Sequence, residues 1–448
     1  MFAAGLCHQH TTASHPYIFL RRPEGIRVCS TKRDASSLVA SRSNLCLGSA
    51  EMDMFSTYSP GKGLPRQFYL SEEIFAAEQQ KIFRNNWFFA GHTIEVPKSG
   101  DYITLDVGGA PVVVVRDRDG RIHAHHNVCR HRGSIICTRE KGSAARLVCP
   151  YHSWSYTHDG ALIGAPMMGD DFDKAAHRLK PVHVGELDGL IFVNLAETPS
   201  PFHELYDHLS PILKSQGIAR AKMALIRDYH LEVNWKIVVE NNRECYHCAA
   251  NHHGYVSVQY DTENDNPALK DEIAERLADC TIRWEKAGLD VARVNTSSNN
   301  TAEWFRANRT PVRKGMVTES PHGQLVCDVL MGGFTDPDMG TARANTNINF
   351  WCHANADYAH TVRITPVSPT KTIVRGYWLV DEAAVEGRDY EPEKIAAFHD
   401  QVMSEDWEIC RRQWIGVTSP GFEPGPYSPS KEQNVDRYIR WYAQRMCA

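Results

Sequence analysis

The chain has 448 residues, and none of its apolar runs approaches the ~18 residues that a membrane span requires. It has no Lys/Arg cluster, and its formal net charge is -5, which argues against a nucleic-acid binder. Neither a membrane nor a nucleic acid is therefore expected as a partner. No Gly-x-Gly-x-x-Gly fingerprint follows a strand-like run, so the chain is expected to hold no dinucleotide site of that kind. The 13 cysteines are odd in number and scattered. That excludes the paired framework of a small secreted domain and points to a reducing compartment. There is no internal repeat and no low-complexity tract. Apolar and charged fractions of 42% and 23% are those of an ordinary globular chain, and the length suggests two or three domains.

The first 53 residues differ from the rest. Residues 1–50 hold six Lys/Arg, seven Ser and only two acids, Glu24 and Asp34. An acid-poor, Arg- and Ser-rich start is that of an organellar transit peptide, or of an over-extended reading frame that begins properly at Met52 or Met54. Either reading removes the segment from the fold as a disordered extension. The expected location is the cytoplasm, or a chloroplast or mitochondrion if the transit reading holds.

From Phe68 the pattern becomes regular. Ser71–Trp87 reads as an amphipathic helix with Ser71 as N-cap. Residues 54–86 are assigned as a helical part of the second, larger domain. Asp101–Val107 and Pro111–Arg116 are β-branched runs around Gly108-Gly109, a hairpin signal. Further short strands to residue 185 make 87–185 a small all-β domain. Residues 186–448 read as an α+β domain, an antiparallel sheet with helices on one side. Its expected strands include Gly189–Leu195, Leu225–Val233, Leu325–Gly332, Ala344–Trp351, His360–Val367 and Thr372–Val380. Its expected helices are His203–Ser215, Trp235–Ala250, 266–290 and Pro392–Ile415.

The small domain carries Cys129-x-His131 and, after 17 intervening residues, Cys149-x-x-His152. Each pair falls where a strand meets a turn, so two loops can pinch one cofactor. Two thiolates and two imidazoles suit a [2Fe–2S] cluster in which one iron takes both Cys and the other both His. A structural zinc site would favour Cys-x₂₋₄-Cys with His-x₃₋₅-His instead. Cys137, between the pairs, reads as a packed core thiol.

A second constellation runs from Asn234 to His252. Glu244 and His247 are three apart and would share a helical face. His252 lies five residues beyond His247, about 140° off that face, so the helix must loosen after Ala250, near Gly254. Two imidazoles and one distant carboxylate make a facial triad for Fe(II) with positions left open for oxygen. Asp406 is the best carboxylate and Glu405 the next. His253 could be mistaken for His252, and Cys245-x-x-Cys248 taken alone would read as a redox pair.

With both constellations in place, the chain resembles the catalytic subunits of Rieske-type ring-hydroxylating oxygenases, from about Phe68 to Tyr442. The resemblance is greatest to the quaternary-ammonium branch, the glycine betaine and stachydrine demethylating monooxygenases. It rests on Asn127–Gly133, Leu147–Trp154, Asn234–His252 and Pro424–Ser428. It implies that Cys129, His131, Cys149 and His152 hold the Rieske cluster. His247, His252 and Asp406 would hold a mononuclear Fe(II), and Glu244 would bridge the two centres. Most ring-hydroxylating relatives place Asp at the bridge, and Glu there is similar to the quaternary-ammonium group. A helix-grip catalytic domain and a head-to-tail homotrimer are implied too. The expected reaction is O₂-dependent N-demethylation of glycine betaine to dimethylglycine and formaldehyde. Stachydrine, carnitine or choline oxidation and aromatic-ring hydroxylation are the alternatives. A separate ferredoxin- and flavin-type reductase would supply electrons from NAD(P)H. A diffuse ammonium cation suits an aromatic cage, and at most three of Tyr255, Tyr260, Trp284, Trp304, Phe305, Phe334, Trp351, Tyr377 and Trp378 are expected to line it.

Overall fold

The computed structural model describes residues 58–260, 266–291 and 305–447. The expectation for residues 1–53 and the candidate Trp304 lie outside them. Helix α1, Glu72–Glu78, starts where Ser71 Oγ accepts the Ile74 N–H at 3.2 Å, with Glu72 and Glu73 in the first turn. It continues as a π-helix only to Arg84, short of Trp87.

The β-rich part follows. Its strands are β1 (Phe88–His92), β2 (Asp101–Val107), β3 (Ala110–Arg116), β4 (Ile122–His126), β5 (Lys141–Ser143), β6 (Leu147–Val148), β7 (Ser155–Tyr156), β8 (Leu162–Gly164), β9 (Pro181–Leu187) and β10 (Leu190–Asn194). Seven of them form one sheet in the order β1-β10-β9-β4-β3-β2-β5, and β6-β7-β8 form a small second sheet. The β2–β3 turn uses Gly108 and Gly109 at φ 60° and 76°, the conformation that a two-residue hairpin loop needs. A Cβ on Gly108 would stand 2.4 Å from the Gln79 carbonyl oxygen, so only glycine fits.

A boundary at residue 185 would cut through β9. The strand expected at Gly189–Leu195 is β10, and it pairs with β9 and β1 rather than with the catalytic sheet. A tight Asp188-Gly189 turn joins β9 to β10, so the β-rich sheet closes only at Asn194.

The second sheet has the order β11-β16-β15-β14-β13-β12, all antiparallel. Its strands are β11 (Ala221–Leu231), β12 (Phe305–Thr310), β13 (Thr341–Thr346), β14 (Phe350–Ala354), β15 (Ala359–Ser368) and β16 (Lys371–Asp381). Helices α2 (Phe202–Leu213), α3 (Trp235–Asn242), α4 (Cys248–Asn251), α5 (His253–Val256), α6 (Lys270–Lys286), α7 (Pro392–Thr418) and α8 (Gln433–Cys447) complete the domain.

Two expectations change here. Leu325–Gly332 is no strand: the Val326 N–H is taken by the Asp357 carboxylate at 2.8 Å, and Gly332 turns the chain at φ 62°. The single run Ala344–Trp351 is a hairpin, broken at Asn347–Asn349. There Asn349 uses its side chain to pair with both backbone groups of Phe89, each at 2.9 Å, which docks β1 onto the catalytic sheet. Two elements, β12 and α8, were not anticipated.

One buried ion pair ties the chain's ends to its middle. Glu78 and Lys236 are both 0% exposed and 2.6 Å apart. Trp235 Nε1 and Tyr442 OH donate to the same carboxylate at 2.8 and 2.5 Å, so α1, α3 and α8 meet on it. Burial disfavours the Lys236 ammonium, and Glu78 opposes that. Removing one member of such a pair strands the other charge. Glu78→Ala should therefore cost about 3–5 kcal/mol and lower the thermal midpoint by several degrees. Glu78→Met with Lys236→Met should recover most of the loss. A Glu78→Ala midpoint equal to the parent's would show that the pair does not hold these helices.

Candidate functional site

Two loops of the β-rich part adopt the same turn. The Cys129 N–H donates to the Ser134 carbonyl at 2.8 Å, and the Gly133 N–H returns to the Cys129 carbonyl at 3.0 Å. The Cys149 N–H donates to the Trp154 carbonyl at 2.8 Å, and the Ser153 N–H returns to the Cys149 carbonyl at 3.1 Å. Each turn needs its fifth residue left-handed. Gly133 (φ 77°) adopts that conformation without strain, and Ser153 (φ 59°) is held in it.

The turns bring Cys129 and Cys149 together, both buried, unbridged and within contact of each other. Tyr156 OH lies 3.3 Å from Cys129 Sγ and accepts the Arg130 N–H at 3.1 Å. The His131 and His152 rings have centroids 4.7 Å apart. His131 stacks on Trp154 and His152 on Tyr151. Two buried sulfurs and two imidazoles that reach the surface are a donor set that fits a [2Fe–2S] cluster, the thiolates holding one iron and the imidazoles the other. Cys137 packs in the core, where burial pushes its thiol up to about 11.

The second site forms where a helix stops. Helix α3, capped by Asn234, ends at Asn242, eight residues earlier than expected. Glu244 and His247 do not share a helical face. Instead the Glu244 carboxylate accepts the backbone N–H groups of Tyr246 and His247, which turns the chain, and its Oε1 lies 2.6 Å from His247 Nδ1. The second break is at His252 itself (φ -119°, ψ 65°), between α4 and α5, and Gly254 lies inside α5. Asn251 bonds its amide back to the His247 carbonyl at 2.8 Å, competing with the helix there.

These two breaks aim both imidazoles at α7. His247 Nε2 is 3.2 Å and His252 Nε2 3.0 Å from one oxygen of Asp406. Burial disfavours the His247 imidazolium, yet Asp406 and Glu244 together push its pKa up to about 9. A cation is thus strongly favoured where these groups meet. Glu405, the second choice, bonds to His252 Nδ1 at 2.8 Å, on the far side of the ring from Asp406. His253 is exposed, while His252 is 1% exposed. The set His247, His252 and Asp406 can hold a divalent iron on one face, with Glu244 and Glu405 orienting the two rings from behind. Cys245 and Cys248 are joined as a disulfide beside it.

A cavity of about 470 Å³ opens onto this triad. Of the nine aromatic candidates, Tyr255 and Trp351 line it. Its wall is mostly polar, and sequence reasoning missed that wall: Arg306, Asn308, Arg343, Asn345, His353 and His399. The signal was present as the repeated Arg-Ala-Asn of 306–308 and 343–345. There, polar residues alternate with alanines on strands that are otherwise buried.

Residues 86–183 match the family model for the Rieske [2Fe-2S] domain, and residues 220–448 match that for the ring-hydroxylating alpha subunit catalytic domain. The chain is 38% identical over 403 residues to the glycine betaine monooxygenase oxygenase subunit of Chromohalobacter salexigens, covering 89% of this chain and 88% of that one. It is 36% identical over 400 residues to the Pseudomonas aeruginosa subunit of the same name, covering 89% and 92%. A solved quaternary ammonium Rieske monooxygenase superposes with a TM-score of 0.66 at 21% identity, over 86% of this chain and 96% of that one, a likeness of fold.

Three variants separate the roles of the carboxylates at this site. Asp406→Ala should lower bound iron from about three per chain to about two, with the cluster's spectrum unchanged. Glu405→Gln should keep the third iron but weaken its retention against a chelator by about 10–100-fold. Full retention of iron by Asp406→Ala would remove Asp406 from the ligand set. Glu244→Ala should keep both centres filled yet oxidise the reduced cluster without forming product. Normal turnover by that variant would exclude the bridging role.

Proposed function

The chain belongs to the Rieske-type ring-hydroxylating oxygenases, and from that premise we propose that it N-demethylates a quaternary ammonium compound, glycine betaine above all. A Rieske [2Fe–2S] cluster and a mononuclear iron are the family's cofactors. The observation that carries the substrate class is the 38% identity, over nearly all of both chains, to an enzyme named for glycine betaine. The polar wall of the cavity points the same way, since an aromatic hydrocarbon would prefer an apolar one.

The iron, when bound, supplies oxygen activation beside a substrate C–H bond. The protein's part is to hold and orient. Glu244 accepts from His247 Nδ1, and Glu405 from His252 Nδ1, which leaves each Nε2 free to face the metal position. Asp406 neutralises part of the charge gathered there. Hydroxylation of an N-methyl group consumes O₂, two electrons and two protons and releases water. The resulting carbinolamine loses its hydroxyl proton to solvent and breaks its C–N bond, giving formaldehyde and dimethylglycine without a dedicated acid or base.

The electrons come from NAD(P)H through a separate flavin- and ferredoxin-type reductase, in keeping with relatives named as oxygenase subunits. None of the four cluster ligands lines the cavity that the triad opens into. In a head-to-tail trimer, which the family resemblance implies, one chain's cluster would feed its neighbour's triad past Glu244.

With a generic Rieske reductase, NADH and O₂, glycine betaine should yield equimolar formaldehyde and dimethylglycine, and an aromatic acid none. Formaldehyde from carnitine, stachydrine or choline but not from glycine betaine would reassign the amine. Oxygen uptake with an aromatic acid and with no amine would overturn the reading.

A further inference from the structure

The polar wall of the cavity has a defined order. The sheet register sets Asn308 opposite Arg343, Arg343 opposite His353, and His353 opposite His360. One row along, Arg306 faces Asn345 and Asn345 faces Trp351. Steps of two along each strand put both rows on the same face. Polar groups at this density inside a protein are costly unless something compensates them.

Behind the wall sits Glu319, 0% exposed. It accepts from Gln259 Nε2 at 2.7 Å, lies 3.1 Å from His353 Nδ1, 3.2 Å from His399 Nε2 and 3.4 Å from Arg343 Nη2. Those contacts keep its carboxyl well below the usual range despite burial. Arg343 also meets Tyr255 OH at 3.1 Å. Glu319 is out of reach of the cavity, whereas Arg343 and His353 keep 16% and 21% of their side chains exposed in its wall.

The cavity wall carries groups of both signs. Glu244 and Asp406 stand at the triad, with Arg243 and Lys431 also in the lining. At the sheet, Arg343, His353 and His399 gather around the buried Glu319, with Arg306 one row away. The two places are set apart by helix α7: His399 precedes Asp406 by seven residues, about two turns or roughly 10 Å.

We propose that Arg343 and His353 form a carboxylate-binding subsite at the end of the cavity remote from Asp406, with Glu319 as the positioning residue behind them. A short zwitterion then lies along the cavity, its N-methyl end at His247, His252 and Asp406 and its carboxylate at the sheet. This deepens the demethylase reading and rests on it for the orientation. It also yields a selectivity. Choline ends in a neutral hydroxyl, a weaker partner for Arg343 and His353 than a carboxylate, and a site built for one polar group discriminates against an analogue that lacks it.

The test is calorimetric titration of the oxidised holoenzyme, which reads binding whether or not turnover occurs. The ligands are glycine betaine, choline, 3,3-dimethylbutyrate (the same shape without the cation) and 3,3-dimethylbutanol. Wild-type enzyme should bind each carboxylate about 10-fold or more tighter than its alcohol counterpart. Arg343→Gln should abolish that preference with iron content and cluster absorbance unchanged, and Arg343→Lys should keep part of it. Glu319→Gln should weaken both carboxylates and leave choline as before. If Arg343→Gln does not fold, the wild-type preference decides. Equal wild-type affinity for carboxylate and alcohol, or an intact preference in a folded Arg343→Gln, overturns the subsite. Absence of formaldehyde from every amine would instead overturn the demethylase reading, and the titration would still decide for or against the subsite.

Discussion

The structure depends on one convergence: two imidazoles from a broken helix meeting a single carboxylate on a long one. His247 and His252 reach the same oxygen of Asp406 only because the chain stops being helical twice within ten residues. Glu244 makes the first break by drawing backbone N–H groups onto its carboxylate, and the same carboxylate then orients His247. Asp406 must be fixed just as firmly. Helix α7 packs on α3 and β11. It is pinned near its start by Arg227, which pairs with Glu393 and Asp400 at 2.7 Å each.

The cluster site follows a different logic. There the backbone does the positioning, through two equivalent hydrogen-bonded turns, and the side chains only fill them. Sulfurs sit inward and imidazoles outward, so the two histidines would be the ligands that face the surface. The catalytic cavity lies apart from all four ligands. The two candidate metal centres therefore do not share a pocket.

Much of this was legible in the sequence. The Cys-x-His and Cys-x-x-His spacings locate the cluster because the turns are local, set by residues within six of each other. The hairpin at Gly108-Gly109 and the N-cap at Ser71 were readable for the same reason. What could not be read is long-range. The choice between Asp406 and Glu405 depends on which face of α7 meets the His252 ring, and that is set by packing against α3 and β11. The sheet that Gly189–Leu195 joins could not be read either, because β10 is buried along its length and carries no mark of its partners. Glu319 carries no local signal in sequence and acquires meaning only when the sheet brings His353, Arg343 and the helical His399 around it.

The central claim is that cluster and triad act as one catalytic pair on an N-methyl group. A single turnover tests it most directly. The holoenzyme is reduced without air, freed of reductant, and mixed with O₂ and glycine betaine. Cluster reoxidation should be fast only when glycine betaine is present, and formaldehyde should appear in proportion to the clusters oxidised. Reoxidation at the same rate without the amine, or without formaldehyde in its presence, would contradict the claim.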